Sequence, residues 1–511
     1  MNRETQPHAL EASHTSLTQI LSNSHPDHPA IVIAGEGLTT TYAQLLQQVN
    51  SVAQELRNLG VNRRDRIGIA LPNGLEMIVA FLAATSVATA APLNPAYKRD
   101  EFKFYLEDTS AKLLIVPPAG AEEAKEAAEC ELIHIGLNRD GQVSLDSAAV
   151  SSTQRASDPN RDDIALVLHT SGTTSRPKRV PLAHRNLLAS TYTVAETYKL
   201  TSEDVSLCVM PLFHVHGLVA STLATLATGG TVVIVPRFNP LSFWKTVRDH
   251  RITWFSAVPT IHQLLLSRTK GAARLAGAEQ LRFIRSCSAP LAASLMSELE
   301  ARFGVPVIEA YGMTEAAHQM ASNPLPPGQR KPGSVGQETG PKIAILDENG
   351  GEVRGHGRGE VAIKGPNVFA GYESNPEANA AAFTNGWFRT GDEGYLDSDG
   401  YLVLAGRIKE LINRGGEKIS PHEIDEVLLS HPSVTQAVSF GVADKYYGEE
   451  VEAAVVIDKP VDEASLVAHC QSLLADFKVP KTIHFVQEIP RTATGKIQRR
   501  NVAAEIARLK S

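Results

Sequence analysis

The stretch of sequence that decides the fold is His169-Thr170-Ser171-Gly172-Thr173-Thr174-Ser175-Arg176-Pro177-Lys178-Arg179, which directly follows the apolar run Ile164 to Leu168. Hydroxyl side chains and a glycine stand side by side here, so hydroxyl and exposed backbone N–H donors are offered together, and such concavities bind anions. Lys178 adds a positive charge. The pattern predicts a polyphosphate-binding loop at the end of a buried strand. A solvated Ser/Thr turn beside a single lysine is the alternative interpretation of this stretch taken alone.

Length and composition describe a large globular protein. The chain has 511 residues, of which 43% are hydrophobic and 21% are charged, and its formal net charge is -7. This length suggests roughly three domains, or one large domain and a smaller one. The composition is typical neither of a disordered chain nor of a basic nucleic-acid-binding protein, so nucleic acid is not an expected partner.

The cysteines and the apolar runs indicate a reduced compartment and no membrane span. The four cysteines are far apart and form no CxxC pair, which predicts buried thiols and not metal ligands. The uncharged runs 77–97 and 205–236 are interrupted by proline or glycine, which favours buried helices and turns. The chain has no signal-peptide profile and does not end in the peroxisomal tripeptide Ser-Lys-Leu. A cytoplasmic location is the resulting expectation.

Alternating strand and helix patterns predict an α/β fold. Residues 66–71 form a short apolar run, 75–87 have the length of a helix and 112–116 form another apolar run. Such repeated units favour parallel sheets covered by helices. After about residue 332, frequent glycines and short alternating runs predict a β-rich, barrel-like part, and the chain from Arg407 onward predicts a compact α+β domain. The expected organisation is a polar arm (1–28), a large domain (29–406) and a small mobile C-terminal domain (407–511).

Two further motifs follow predicted strands, where open α/β sheets bind their ligands. Tyr311-Gly312-Met313-Thr314-Glu315 combines an aromatic face, a hydroxyl and a carboxylate able to hold Mg²⁺ through oxygen. Thr390-Gly391-Asp392 presents a carboxylate to the paired hydroxyls of a ribose. Taken singly, the first motif is equally a helix start capped by Thr314, and the second an Asx turn. Walker and dinucleotide fingerprints are incomplete in this chain.

Together with Gly406-Arg407-Ile408-Lys409-Glu410, these motifs resemble the adenylate-forming superfamily of acyl-CoA synthetases, carrier-loading adenylation domains and luciferases. The resemblance covers about residues 30 to 500. It implies a large N-terminal domain with two α/β halves and a β-barrel-like part, followed by a small mobile C-terminal domain.

The resemblance also implies a role for each matching position. The residues that would bind ATP are Thr170, Ser171, Gly172, Thr173, Thr174 and Lys178 at the phosphates, Tyr311 and Gly312 at the adenine, and Asp392 and Arg407 at the ribose. The residues that would act in catalysis are Thr314 at the α-phosphate, Glu315 at Mg²⁺, His214, and Lys496 between the substrate carboxylate and the α-phosphate. Lys409 would be the hinge.

The implied reaction has two halves. A carboxylate and ATP give an acyl-adenylate and pyrophosphate, and the thiol of coenzyme A then displaces AMP. Two anions approach each other in the first half, so a cation such as Lys496 and Mg²⁺ must compensate their charge. Between the halves, the C-terminal domain of the family rotates about the hinge and brings the loop Gly415 to Lys418 toward the site. A separate carrier protein is the less favoured thiol donor.

The nature of the acid is indicated by the stretches 211–217 and 285–291. Serines occupy positions 286 and 288, where a pocket for an apolar acyl chain would favour glycine and alanine. His318 follows shortly after Glu315. Polar donors suit a small, charged acid, because a second carboxylate buried without partners is costly. These segments resemble the oxalate-CoA ligases of plants and fungi, which implies that Ser288 and His318 line the oxalate site and that His214 stands at its entrance. Each histidine is otherwise a hydrogen-bonded core residue.

The sequence departs from the family at Arg179, where the phosphate-binding loop usually has glycine. If that position requires a positive φ, an arginine there is strained by roughly 1 to 2 kcal/mol. The arginine otherwise adds a cation at the phosphates or weakens the enzyme. The alternatives to an oxalate-CoA ligase are therefore a ligase for a medium-chain or biosynthetic acyl substrate and a nucleotide-binding protein with compromised catalysis.

Overall fold

The structure is a computed structural model that describes residues 14–138, 141–146, 159–170, 177–269, 277–353, 355–491, 497 and 499–510. The strands in chain order are β1 (Pro29–Ile33), β2 (Leu38–Thr41), β3 (Arg66–Ile69), β4 (Thr89–Pro92), β5 (Leu113–Val116), β6 (Glu131–Leu137), β7 (Val143–Asp146), β8 (Ile164–Thr170), β9 (Lys178–Ala183), β10 (Val205–Cys208), β11 (Thr231–Ile234), β12 (Trp254–Ala257), β13 (Phe283–Ser286), β14 (Val307–Met313), β15 (His318–Ser322), β16 (Gln337–Glu338), β17 (Lys342–Leu346), β18 (Gly359–Lys364), β19 (Phe383–Thr384), β20 (Trp387–Leu396), β21 (Leu402–Arg407), β22 (Ile412–Arg414), β23 (Glu417–Ile419), β24 (Val434–Asp444), β25 (Gly448–Ile457) and β26 (Thr482–Phe485).

The helices in chain order are α1 (Tyr42–Asn58), α2 (Leu75–Val87), α3 (Arg99–Thr109), α4 (Glu122–Ala127), α5 (His184–Thr197), α6 (Ala224–Ala227), α7 (Phe243–Asp249), α8 (Pro259–Ser267), α9 (Ala293–Phe303), α10 (Pro376–Ala382), α11 (Pro421–Leu429), α12 (Glu463–Leu473) and α13 (Arg499–Lys510). A π-helical segment, His216–Leu223, leads into α6, and short 3-10 helices include Leu17–Asn23, Thr314–Ala316 and Ile408–Glu410.

Two large sheets form the main body. The first has the strand order β7-β6-β5-β3-β4-β8-β9, and the second has the order β16-β15-β14-β13-β12-β10-β11-β1-β2. The inner strands of both sheets pair in parallel, whereas antiparallel pairs lie at their ends. Helix α2 is buried along almost its whole length and belongs to a core that both sheets share. The predicted α/β fold class with parallel sheets is confirmed.

Two smaller sheets follow along the chain. Strands β17, β18, β20 and β19 form an antiparallel sheet, and β21 pairs with β20. The C-terminal sheet has the order β23-β22-β25-β24, with β26 parallel to β25, and helices α11 and α12 share its core. The glycine-rich texture after residue 332 therefore corresponds to the third sheet, and the chain after Arg407 to the fourth.

The segment before residue 28 differs from the expected polar arm. Leu17, Ile20 and Leu21 lie on one side of the 3-10 helix Leu17–Asn23 and are buried in the main core. The backbone N–H of Leu17 donates to His184 Nδ1 at 3.2 Å. Apolar residues spaced three and four apart lie on one face of a helix, and that face can be buried even when the other residues are polar. This explains why the segment is not the polar arm that was predicted. Residues 1–13 lie outside the described part of the chain.

Among the described residues, no helix has the length and apolar character that crossing a membrane requires. The thiols of Cys208, Cys287 and Cys470 are buried, and Cys130 is half-buried.

Candidate active site

The two ends of the predicted phosphate-binding stretch belong to paired antiparallel strands. Strand β8 ends at Thr170 and pairs in antiparallel fashion with β9, so that Thr170 stands opposite Lys178 and His169 opposite Arg179. The strands extend further into the stretch than its loop-like composition predicts, because the alternate apolar residues Val180 and Leu182 are buried in the core. Ser171, Gly172, Thr173 and Thr174 lie outside the described residues.

Lys178, Glu315 and Lys409 come together although they are far apart in sequence. The ammonium group of Lys178 lies 4.5 Å from the centre of the Tyr372 ring. Tyr372 in turn donates a hydrogen bond to Glu315 Oε1 at 2.9 Å. Burial lowers the pKa of Lys178, the charge of Lys409 lowers it further, and Glu315 opposes both. The predicted phosphate, metal and hinge residues therefore share one site.

Asp392 joins Tyr311 and Arg407 beside this group. Strands β20 and β21 place Asp392 directly opposite Arg407, and Arg407 Nε lies 2.8 Å from Asp392 Oδ1. The hydroxyl of buried Tyr311 donates to the other oxygen of the carboxylate. The charge of Asp392 raises the pKa of Arg407, and burial raises the pKa of the Tyr311 hydroxyl well above its usual value. The predicted adenine and ribose residues thus form one hydrogen-bonded unit.

A tight hairpin connects this unit to the candidate acid pocket. Strands β14 and β15 pair Gly312 with Gln319 and Met313 with His318, and Thr314 and Glu315 lie in the turn between them. A Cβ atom on Gly312 would lie 2.2 Å from the carbonyl oxygen of His318, so only glycine allows the two strands to approach this closely.

In the candidate acid pocket, His216 contacts both Ser288 and His318. His216 Nδ1 lies 2.9 Å from Ser288 Oγ, and the ring centres of His216 and His318 are 5.3 Å apart. Ser288 and His318 have φ angles of 72° and 127°, in the region that side chains rarely adopt. Such backbone conformations are common at functional sites, where surrounding structure holds them.

His214 lies in a different place. Its side chain borders a cavity of about 30 Å³, which is also lined by Asn94, Tyr97, Tyr105 and His169. Through His169, this cavity is next to the strand that leads into the phosphate-binding stretch. The structure therefore shows His216 in contact with Ser288 and His318, and the role of His214 at the entrance stays a prediction.

A sequence model of AMP-binding enzymes matches residues 19–373, and a model of their C-terminal domain matches residues 423–496. The chain belongs to the AMP-binding enzyme family. This confirms the family that the motifs predicted.

Similar members of the AMP-binding enzyme family include ligases from plants and yeast. The probable CoA ligase CCL9 of Humulus lupulus is 49% identical, with 96% of this chain and 97% of the relative covered. The oxalate-CoA ligases of Arabidopsis thaliana and Saccharomyces cerevisiae are 47% and 44% identical, covering 96% and 94% of this chain and 98% and 95% of the relatives.

Solved structures of the family have the same fold. ATP-bound MatB from Rhodopseudomonas palustris has a TM-score of 0.87 and 33% identity, with 96% of this chain and 98% of that chain covered. The O-succinylbenzoate coenzyme A synthetase MenE of Bacillus subtilis, in complex with ATP and a magnesium ion, has a TM-score of 0.84 and 31% identity, with 96% and 99% covered. The large N-terminal and small C-terminal parts are shared with these neighbours.

In this AMP-binding enzyme, Arg179 does not have the positive φ angle that would strain its backbone. Arg179 lies in strand β9 and is absent from the described residues with positive φ. Its guanidinium contacts Asp108, with 3.4 Å between Nη1 and Oδ2, and lies 3.1 Å from Glu373 through Nε. Arg66 binds the other oxygen of Glu373. The charge of Arg179 is therefore already compensated by carboxylates, which disfavours the idea of an extra cation for the phosphates.

A magnesium ion, as expected for the family, fits the donors at the site. Within the described residues, no group of three or more His, Cys, Asp or Glu side chains surrounds a metal position. Mg²⁺ is usually held by one or two carboxylates together with substrate phosphates, so the buried carboxylate of Glu315 is a suitable single protein ligand.

The structure adds residues that the sequence did not single out. Ser256 and Arg285 are polar positions within the otherwise largely apolar strands β12 and β13, and both are fully buried. A charged residue inside a short buried strand is itself a signal of function. Lys496, the expected catalytic lysine, lies outside the described residues.

Proposed function

We propose that this protein is an ATP-dependent, AMP-forming oxalate-CoA ligase. The predicted enzyme class, an acid-CoA ligase, is confirmed by relatives with CoA ligase names that cover nearly the whole chain. Oxalate is supported by two relatives named oxalate-CoA ligase at 47% and 44% identity.

The observation that carries the choice of oxalate is the polar cluster of half-buried Ser288 with the buried His216 and His318. His216 and His318 are almost fully buried, the His216 ring lies beside the serine hydroxyl, and the two rings are neighbours. An alkyl chain would place apolar surface against these polar groups and offer them no additional acceptor, which is unfavourable. A short acid with a second carboxylate supplies acceptors for them, so the cluster favours a small dianion.

The nucleotide half of the site supports adenylate formation. We assign the cation Lys178 to the phosphates and the cation Arg407 to the ribose; Lys178 lies over the Tyr372 ring, and Arg407 is paired with Asp392. Charge builds up on phosphate oxygens when a carboxylate attacks the α-phosphorus, and fixed cations stabilise that transition state. We assign Thr314 to the α-phosphate, Lys496 to the bridge between the carboxylate and that phosphate, and Glu315 to Mg²⁺, which when bound would neutralise part of the phosphate charge.

The second half-reaction uses coenzyme A. Lys409 lies in the short 3-10 helix that directly follows β21, where the chain passes from the third sheet to the fourth. A short connection of this kind suits a hinge, because a few residues absorb the rotation of a whole domain. We propose that the domain from residue 407 onward turns about Lys409 so that the thiol displaces AMP.

A panel of acids tests the proposed substrate. Pyrophosphate release is measured with oxalate, malonate, sulfoacetate, acetate and a medium-chain fatty acid under the same conditions, and formation of the CoA thioester is followed in parallel. We expect the highest kcat/KM with oxalate. Activity with the fatty acid alone would refute the proposal and favour the acyl-ligase alternative, and ATP binding without AMP formation with any acid would favour a nucleotide-binding protein.

A further inference from the structure

Arg285 is a buried cation with neutral hydrogen-bond partners. Its side chain is fully buried, and a guanidinium stays protonated in proteins. Nε donates to the Tyr198 hydroxyl at 2.8 Å, Nη1 to Ser256 Oγ at 2.9 Å and Nη2 to Gln319 Oε1 at 3.0 Å. In the described part of the chain, none of its hydrogen-bond partners is a carboxylate. Because a buried charge without a counter-charge is costly, the arrangement favours an anion that a ligand supplies.

The carboxyl group nearest along the sheet does not provide that counter-charge. Strands β13 and β14 pair Arg285 with Ile308 and Ser286 with Glu309. Successive side chains of a strand point to opposite faces, so Glu309 faces away from Arg285. Burial also raises the pKa of Glu309 to about 8, so this group is mostly uncharged at neutral pH.

The hydrogen bonds that begin at Arg285 have a direction. A guanidinium only donates, so Ser256 Oγ is an acceptor for it. His216 Nε2 lies 2.6 Å from the same oxygen, and because that oxygen already accepts from Arg285, we assign its hydroxyl proton to this nitrogen. With this assignment, the imidazole proton lies on Nδ1, 2.9 Å from Ser288 Oγ, and is directed at that oxygen. Ser288 therefore accepts from the protein and has its own hydroxyl proton to donate to a ligand.

A second contact extends the influence of the same cation to His318. Arg285 Nη2 lies 3.5 Å from His318 Nδ1. A donor at that nitrogen favours the neutral tautomer with the proton on Nε2. Both His216 and His318 therefore lie in the electrostatic field of the Arg285 guanidinium. This field is strong because water is excluded around the buried charge.

We propose that Arg285 is a positioning residue that makes the acid pocket selective for a second anionic group, acting through Ser256, His216 and Ser288. The ligand class is a short acid that carries another carboxylate or similar anion close to the reacting carboxylate. Arg285 does not touch the acid; it sets the direction of the hydrogen bonds and supplies the positive potential. This inference rests on the proposed function, since it explains how that site would distinguish oxalate from a monocarboxylate.

The test compares two serine variants. Ser256→Ala interrupts the chain of hydrogen bonds between Arg285 and His216, whereas Ser256→Thr keeps the hydroxyl. The measured quantity is the ratio of kcat/KM for oxalate to kcat/KM for acetate, from pyrophosphate release. We expect Ser256→Ala to lower this ratio by about 10- to 100-fold and Ser256→Thr to restore most of it, with the KM for ATP unchanged in both.

Two arginine variants provide the matched control. Arg285→Gln should lower the same ratio at least as much as Ser256→Ala. Arg282→Ala removes a neighbouring arginine that is already paired with Asp204 at 2.5 Å, so the ratio should stay unchanged. If Arg285→Gln fails to fold, the comparison of Ser256→Ala with Ser256→Thr still tests the inference. Equal losses for oxalate and acetate in Ser256→Ala, or no loss, would overturn the inference.

The wild-type panel separates this inference from the proposed function. If the wild type uses malonate or sulfoacetate but not oxalate, the proposed substrate is wrong, and the ratio is measured with that acid in place of oxalate. A ratio that then falls in Ser256→Ala supports the inference independently. A wild type that prefers acetate or a fatty acid refutes both.

Discussion

At the scale of single residues, Arg179 forms ion pairs that hold β9, the strand that carries Lys178, against neighbouring elements. Its guanidinium bridges Asp108 and Glu373, and His169 Nε2 lies 2.9 Å from the same Asp108 carboxylate. The residue in place of the usual glycine is therefore part of a partly buried charge network. Breaking a buried pair by removing one partner destabilises a protein, because the other charge is left uncompensated.

Replacing Arg179 by glycine tests this role. We expect Arg179→Gly to lower the free energy of unfolding by about 1 to 3 kcal/mol and to leave pyrophosphate release no higher than in the wild type. Urea denaturation measures the stability. Arg185→Gly is the control, since Arg185 pairs with Asp162 at an exposed position and should change stability far less. A glycine variant with higher activity would mean that the arginine impairs the site.

At the same scale, the negative charge of Asp392 is expected to determine how well the site binds ATP. Asp392→Asn keeps an acceptor for Tyr311 but removes the negative charge that holds Arg407. We expect the KM for ATP to rise about tenfold or more, while the overall fold, followed by circular dichroism, is retained. Asp397→Asn is the control, because Asp397 follows the same strand but pairs with Lys331. An unchanged KM for ATP in Asp392→Asn would exclude the ribose role.

At the scale of elements, helix α11 brings the Glu426 carboxyl close enough to Glu309 on β14 for their charges to interact. Glu309 is fully buried, and burial, together with the charge of Glu426 on α11, raises its pKa from 4.5 to about 8. Its Oε1 accepts a hydrogen bond from the backbone N–H of Leu291 at 2.9 Å. The native protein therefore binds a proton that the unfolded chain releases above pH 4.5.

The stability of the protein should accordingly fall as pH rises from about 4.5 to 8. The contribution is on the order of 1 kcal/mol for each pH unit, because the native state holds one more proton in that window. Glu309→Gln mimics the protonated group and should flatten the curve. Chemical denaturation at pH 5, 6.5 and 8 compares it with Glu300→Gln, whose carboxylate is paired with Arg330. Parallel curves for the wild type and Glu309→Gln would show that the proton is not taken up.

Elements were the part of the fold most accessible from sequence. The predicted runs 66–71, 75–87 and 112–116 correspond to β3, α2 and β5 within two residues at each end, because hydrophobic pattern and length are local signals of such elements. The association of Ser256, His216 and Arg285 could not be predicted in this way. It depends on which strands become neighbours in the second sheet and on the turn that follows β10, and neither follows from local pattern.

The candidate nucleotide site was predictable for a different reason. Its residues stand in motifs that a family resemblance assigns to ATP, and the structure brings Lys178, Glu315, Asp392 and Arg407 together. The partnership of Tyr372 with Lys178 and Glu315 was not predictable, because a tyrosine outside any motif gives no local signal.

At the scale of the whole molecule, the C-terminal part contacts the large part through weak polar contacts and some apolar packing. Lys418 Nζ lies 3.4 Å from Glu348 Oε1, and both side chains are exposed. Gln263 Nε2 donates to the Thr435 carbonyl at 3.4 Å, and Leu429 packs against the core of the second sheet. Exposed ion pairs contribute about 1 kcal/mol or less, so these polar contacts do not oppose a domain rotation.

Two lysines of the C-terminal part should separate the two half-reactions. Lys496, which lies outside the described residues, is expected at the adenylate, whereas Lys418 belongs to the loop that would approach the site for thioester formation. Lys496→Ala should reduce pyrophosphate release by about 100-fold or more, since a preorganised cation at the transition state is lost, and should spare thioester formation from a supplied acyl-adenylate. Lys418→Ala should do the reverse.

The two rates are measured separately, with pyrophosphate release for the first half and AMP release from synthetic oxalyl-adenylate and coenzyme A for the second. Lys459→Ala, a change in the loop after β25, is the control and should leave both rates unchanged. If Lys496→Ala loses both halves, the lysine supports the fold and not the chemistry. A residue that is needed in only one orientation of the C-terminal domain affects only the half-reaction made in that orientation. If Lys418→Ala slows both half-reactions equally, the C-terminal domain does not rotate between them.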